Sequence, residues 1–178
     1  MGLGPLTLMA AGDHNGLRRT RTDILDRFRM TTDPMIANGV AWWSVMAAGE
    51  EPNLSETVRL AELAVSGAPE IDKPAILNTL GAALYRAGRF AEAVRRLEEA
   101  VQKRNGVSIE ADWVFLAMAH QRLGHHDEAR RWLDRFRDRK PSPAPSAFWQ
   151  ELEIRLLRAE AEAVVLWDPI FPADPFAP

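Results

Sequence analysis

"LNTLGAALYRAGRFAEAVRRLEEAV", residues 77–101, decides the architecture. Its apolar residues recur at i, i+3, i+4 and i+7, the spacing of one helix face, and the run breaks once at Ala87–Gly88. That is two helices joined by a tight turn, with no reactive group in either. A second stretch, "WVFLAMAHQRLGHHDEARRWLDRFR" at residues 113–137, falls on the first at a constant offset of 36 residues. Leu77 meets Trp113, Leu80 meets Leu116, Gly81 meets Ala117 and Leu84 meets His120. Gly88 meets Gly124, Ala93 meets Ala129 and Leu97 meets Leu133. A constant offset through both helices of a pair identifies a duplicated unit.

Each unit explains its own punctuation. Gly88 and Gly124 stand where the first helix ends and a left-handed residue is wanted. Gly81, Ala117, Ala93 and Ala129 are small where the two helices of a hairpin must approach closely. Pro141 follows the later second helix as a stop.

The pattern W-x2-L-(G/A)-x2-Y, then A-x3-(F/L) and a terminal Pro, resembles the tetratricopeptide repeat, and residues 113–141 match it. Residues 74–106 match with Leu77 for the Trp, Leu84 for the Tyr and Asn105 where Pro is usual. Residues 32–69 look like a degenerate earlier unit, with Ala41 and Ala64 at the small positions, Pro69 as the stop and extra loop residues near "GEEP". Residues 12–29 look like the turn and second helix of a still earlier unit, whose first helix would come from residues 3–11. That helix is short and interrupted by glycine, which hints at a missing upstream stretch.

The resemblance covers residues 3–163. It implies an all-α right-handed solenoid of antiparallel helix hairpins, with units near 3–31, 32–72, 73–106 and 109–141. After "PSPAPS" a helix over 146–163, capped by Ser146, resembles the amphipathic helix that covers the end of such a stack. The order "GDH…TTDP…AW…NTLGAALYRAGRF…DWVFLAMAHQRLGH" is also similar to the repeat tails of large bacterial signalling proteins, which follow a serine/threonine kinase or WD-repeat module. The chain has no HRD and no DFG, so no kinase activity carries over.

Repeats of this type line a concave groove with their first helices, and the resemblance places the inward residues. They are Met35, Asn38, Trp42 and Val45, then Ala75, Asn78, Ala82 and Tyr85, then Ala111, Val114, Met118 and Gln121. Lysines that clamp a peptide's terminal carboxylate elsewhere in the family are missing, and only Arg86 and Arg122 lie nearby. The expected ligand is therefore an apolar protein or peptide segment, its backbone amides paired with Asn38 and Asn78 and Met118 as an adaptable contact. The adjacent Trp42 and Trp43 cannot face the same way on a helix, so one of them lines this surface. Trp113, Trp132 and Trp149 fall on or beside core positions.

Composition narrows the alternatives. The chain has 178 residues, 47% hydrophobic and 26% charged, enough for one sizeable core. A net charge of −3 and a pI near 5.8 do not draw it to nucleic acid or anionic lipid. It has no cysteine, which removes disulfide and thiolate chemistry and fits a cytoplasmic protein. No run approaches the length of a membrane span. No nucleophile, phosphate-loop or metalloprotease motif is present, so a non-catalytic chain without cofactor is expected.

The chain has four histidines as candidate metal ligands. His125 and His126 in "GHHDE" are adjacent residues on a hairpin turn, where Asp127 and Glu128 complement the dipole of the following helix. His14 occupies the same slot in the earlier turn. His120 replaces the usual Tyr and reads as a packed or hydrogen-bonded core residue. The arginine-rich segment at residues 130–140 carries Asp134 and Asp138 between its cations, the mark of a solvated helix face. The closing "LWDPIFPADPFAP", residues 166–178, cannot be a regular helix. Its Trp167, Ile170, Phe171 and Phe176 would be buried on the groove, on the last helix or in a second molecule. Self-association through residues 164–178 is thus the alternative to binding a partner.

Overall fold

The computed structural model describes residues 7–8, 11–46, 54–105, 109–139 and 148–167. Eight helices are present among the described residues, and no strand. They are α1 His14–Phe28, α2 Pro34–Val45, α3 Leu54–Gly67, α4 Lys73–Arg86, α5 Phe90–Lys103, α6 Glu110–Arg122, α7 His126–Arg137 and α8 Phe148–Leu166. Each helix packs on the next, and the pairs α2/α3, α4/α5 and α6/α7 form the hairpins of a helical repeat solenoid. Of the expected first helix over residues 3–11, only Thr7 and Leu8 are described, and both are helical. Ser146, the "PSPAPS" segment, the Trp149 side chain and everything after Trp167 lie outside the described residues.

The turns are built as their glycines require. Gly88 has φ of 74° and Gly124 78°, and Gly12 repeats the conformation at 69°. In all three the residue after glycine donates its N–H back across the helix end, Asp13 to Leu8, Arg89 to Leu84 and His125 to His120, at 2.9–3.0 Å. That bond satisfies a carbonyl that the finished helix leaves open. A side chain at Gly88 would meet no atom within 4 Å, so the cost of adding one is purely conformational. Gly88→Ala is expected to destabilise the protein by about 1–2 kcal/mol, read as a lower urea midpoint at an unchanged slope.

Close approach explains Gly81: a Cβ built there would lie 2.5 Å from Leu97 Cγ on the partner helix. Ala93 and Ala129 are fully buried at the matching positions of α5 and α7, as are Ala41 and Ala64 in the α2/α3 hairpin. Asn105 takes φ of 55° just past α5, a left-handed turn that asparagine tolerates.

Burial divides the helices into two kinds. On α5 only Ala93, Val94, Leu97 and Ala100 are buried, and on α7 only Ala129, Leu133 and Phe136, one stripe each against solvent-facing charge. On α4 every residue from Ile76 to Tyr85 is buried, and on α6 every residue from Val114 to His120. A helix with no wet face is enclosed on every side. α4 and α6 therefore form an inner layer, and other elements must cover each of their faces.

Candidate functional site

Helix α8 provides part of that cover. It packs chiefly on α6 and buries Leu152, Ile154, Leu157, Ala161 and Val165. Its acidic residues reach further along the inner layer. Glu160 pairs with Arg86 at the end of α4, and Glu153 accepts a hydrogen bond from Trp42 on α2. A helix stacked only as the next first helix in line would not touch all three. α8 thus packs on α6 and reaches α4 and α2 through the side chains of Glu160 and Glu153.

Beneath it three aromatic rings meet. Trp42 and Phe115 stand edge to face at 6.3 Å between centroids, and Tyr85 and Phe115 at 5.9 Å. The Arg86 guanidinium lies 5.6 Å from the centroids of both Tyr85 and Phe115. Its Nε donates to the Val45 carbonyl at 2.8 Å, and its two remaining nitrogens take both oxygens of Glu160, one bond at 2.8 Å. Such a bidentate pair is strong and directional. With only 7% of the Arg86 side chain exposed, water competes little for it.

The cover perturbs two groups. Burial raises the Tyr85 hydroxyl above its ordinary range, Glu160 adds to the shift, and a hydrogen bond from Arg122 opposes it. Burial likewise raises the Glu153 carboxyl, while the Trp42 indole N–H draws it part of the way back.

The groove residues read from the resemblance thus separate into two groups. Val45, Ala82, Val114 and Met118 are fully buried, Tyr85 and Asn78 nearly so, and Trp42 is half-buried in the aromatic cluster. They do not form an open lining, because neighbouring side chains of the core enclose them. Met35 and Arg122 remain exposed, Ala75 is exposed at the mouth of α4, and Asn38, Ala111 and Gln121 are half-buried. Trp42 turns inward, while Trp43 turns to the other side of α2, near Leu17, Arg21 and Ile24 of α1. Trp113 and Trp132 pack half-buried on the core, with Arg135 about 5.3 and 5.8 Å from their ring centroids.

Asn78 does not offer its amide to a ligand. It donates to buried Asp112 at 2.8 Å. Asp112 also accepts from the Ile109 N–H at 2.9 Å and pairs with Arg104, whose Nη2 reaches the Pro74 carbonyl at 3.0 Å. Three chain segments, α4, the end of α5 and the start of α6, are joined through one carboxylate. Asn38, the matching asparagine of the earlier unit, has no such acid: 36 residues before Asp112 stands Ile76. Its Oδ1 is buried with no hydrogen-bond partner among the described residues.

The histidines serve the last turn. His120 and His125 bring their Nδ1 atoms to 3.2 Å, and His126 Nδ1 donates to the Gln121 side-chain oxygen at 3.0 Å. Among the described residues no three histidine, cysteine, aspartate or glutamate side chains converge on a metal position. Burial holds His120 below the ordinary histidine value near 6.5, and neighbouring His125 adds to the depression. The unfolded chain then binds the proton more readily than the folded one. Stability is complete above the ordinary value and falls as pH drops through it toward the depressed one. Lowering the pH from about 7.5 to 5.5 is expected to reduce the urea midpoint, and His120→Tyr, which restores the residue usual in such repeats, to flatten that dependence.

Sequence reasoning passed over Phe115, Arg104, Asp112, Glu153 and Glu160. One signal was available. Residues 114–120, "VFLAMAH", run seven positions without a charged residue, more than a helix with an open face should carry.

Comparison with known families meets this geometry directly. Residues 23–165 match the family described as T7SS, ESX-1 secretion system protein EccA1, N-terminal domain. The chain belongs to that family. The matched span begins within α1 and ends within α8, so the covering helix lies inside the family's domain. Neither the curated proteins nor the solved structures give a match. The family is thus a secretion-system one, in place of the kinase-linked or WD-repeat-linked kinship expected from the order of motifs. No helix among the described residues is long and apolar enough to cross a membrane.

Proposed function

We propose that this EccA1-type domain is a non-catalytic protein-interaction module of a type VII secretion system, taking a protein segment on the inner face of its first helices. The observation that supports this reading is the contact that α8 makes with the first helices. α8 lies on them through apolar side chains and a bidentate carboxylate–arginine pair, the means by which such a surface would hold a partner. Its exposed margin, with Met35 and Arg122, adds apolar and polar contacts.

The test is affinity capture from a bacterium carrying such a secretion system, comparing the intact chain with a Met35→Glu, Arg122→Glu variant. Both positions are exposed, so neither change buries a charge. Val114→Glu or Met118→Glu would bury one and report on folding instead. A secretion-system component retained by the intact chain and lost by the still-helical variant is the expected result. Equal capture by both would remove the inner face as the site. A second reading, in which the chain closes its own groove for purely structural reasons, has the same helix in its favour.

A further inference from the structure

We propose that α8 occupies the inner face as an intramolecular ligand, and that the partner taken there is an acidic amphipathic helix that replaces it and seats a carboxylate on Arg86. This deepens the interaction-module reading and rests on it. Three features of the structure support exchange over permanent closure.

The first is how α8 is seated. It packs closely on α6, but between it and α7 lies a cleft of about 440 Å³, lined by Phe136, Arg139, Leu152, Ile154, Arg155 and others. α8 also touches α7, though less extensively than α4 touches α3 or α6 touches α5. Its main seat is therefore the inner-layer helix α6, with α7 a lesser contact and the cleft left between them.

The second is the chemistry of its attachment. Three basic residues of the solenoid receive acidic residues of α8: Arg139 takes Glu151 with one bond at 3.0 Å, Arg86 takes Glu160, and Arg137 lies 3.5 Å from Glu162. Arg86 is preset for this role, because its Nε is tied to the Val45 carbonyl and two aromatic rings flank its guanidinium. Without α8 it would keep that orientation and present two free N–H groups, the fork that a side-chain carboxylate accepts.

The third is Glu153, which is set against Trp42 where burial works against its charge. A covering element selected only for stability would carry a neutral residue there. A competing helix with a better-suited residue at that point would gain over α8.

The experiment uses the full chain and a labelled peptide of residues 148–167 as the probe, followed by fluorescence anisotropy. The intact chain binds the peptide weakly, since its own tethered helix competes at a high effective concentration. In Glu160→Lys the tethered helix sets a lysine against Arg86, so α8 is weakened and the unaltered peptide binds at least tenfold tighter. In Arg86→Glu the tethered Glu160 is repelled, and the preferred probe becomes the peptide carrying Glu160→Lys.

This reciprocal preference, with both variants helical by circular dichroism, is the expected result. A variant damaged only in folding would bind neither peptide and would have lost helicity. Helical variants that bind neither peptide, or both alike, overturn the proposal and leave α8 a fixed cover. An intact chain that is dimeric by light scattering, with the helix of one copy on the face of the other, overturns its intramolecular part. If exchange fails while Met35-dependent capture persists, only the replacement of α8 is lost and the interaction-module reading stands. Loss of Met35-dependent capture with exchange intact would remove the module reading instead.

Discussion

Arg104→Met is expected to cost about 3–5 kcal/mol of folding stability, the usual consequence of removing one partner from a buried ion pair. Asp112 is wholly enclosed, and only 17% of the Arg104 side chain reaches solvent. Methionine would fill much of the arginine stem's space. The carboxylate would remain with the Asn78 amide at 2.8 Å and the Ile109 N–H at 2.9 Å as its other bonds. The Pro74 carbonyl would lose its donor from Arg104 as well. Because the network joins the starts of α4 and α6 to the end of α5, the loss falls on the stacking of one hairpin upon the next. Adding Asp112→Asn removes the stranded charge while keeping an oxygen for Asn78. The double variant should therefore recover a large part of the stability, a coupling that urea denaturation of the four proteins of the cycle would measure. A cost below about 1 kcal/mol for Arg104→Met would place this pair among ordinary surface pairs.

Arg86→Met is expected to cost about 3 kcal/mol or more, and its effect should be unevenly distributed. The substitution strands Glu160, takes the donor from the Val45 carbonyl and removes the cation from beside Tyr85 and Phe115. Hydrogen exchange should show protection lost first in α8, over residues 152–166, while the cores of α4 and α5 keep theirs. Uniform loss along the chain would mean that α8 and the solenoid unfold as one unit. Arg122→Met is the control. That residue is exposed, touches Tyr85 and holds no carboxylate of α8, so a change within about 0.5 kcal/mol is expected.

The architecture was readable because its signals are local. A period of 36 residues, glycine at the two turns and small residues at the helix contacts are each set by neighbours within the same hairpin. The site was less readable because its partners are far apart in sequence. Asn78 and Asp112 are 34 residues apart and Arg86 and Glu160 are 74 apart, and neither pairing has a periodic signature. The repeat register predicts that Trp42, Tyr85, Val114 and Met118 share one face. It carried no information about what covers that face, since a buried apolar stripe reads the same under a foreign peptide and under the chain's own helix.

The amino-acid sequence by itself determined that this chain stacks helical hairpins and where each hairpin turns, because helix period and left-handed glycine are properties of short segments. Only the tertiary structure decided that α8 packs on α6 and pairs with Arg86, and that Asn78 is committed to Asp112. Those outcomes depend on which distant side chains the stacking brings within hydrogen-bond reach, and on how little water remains between them.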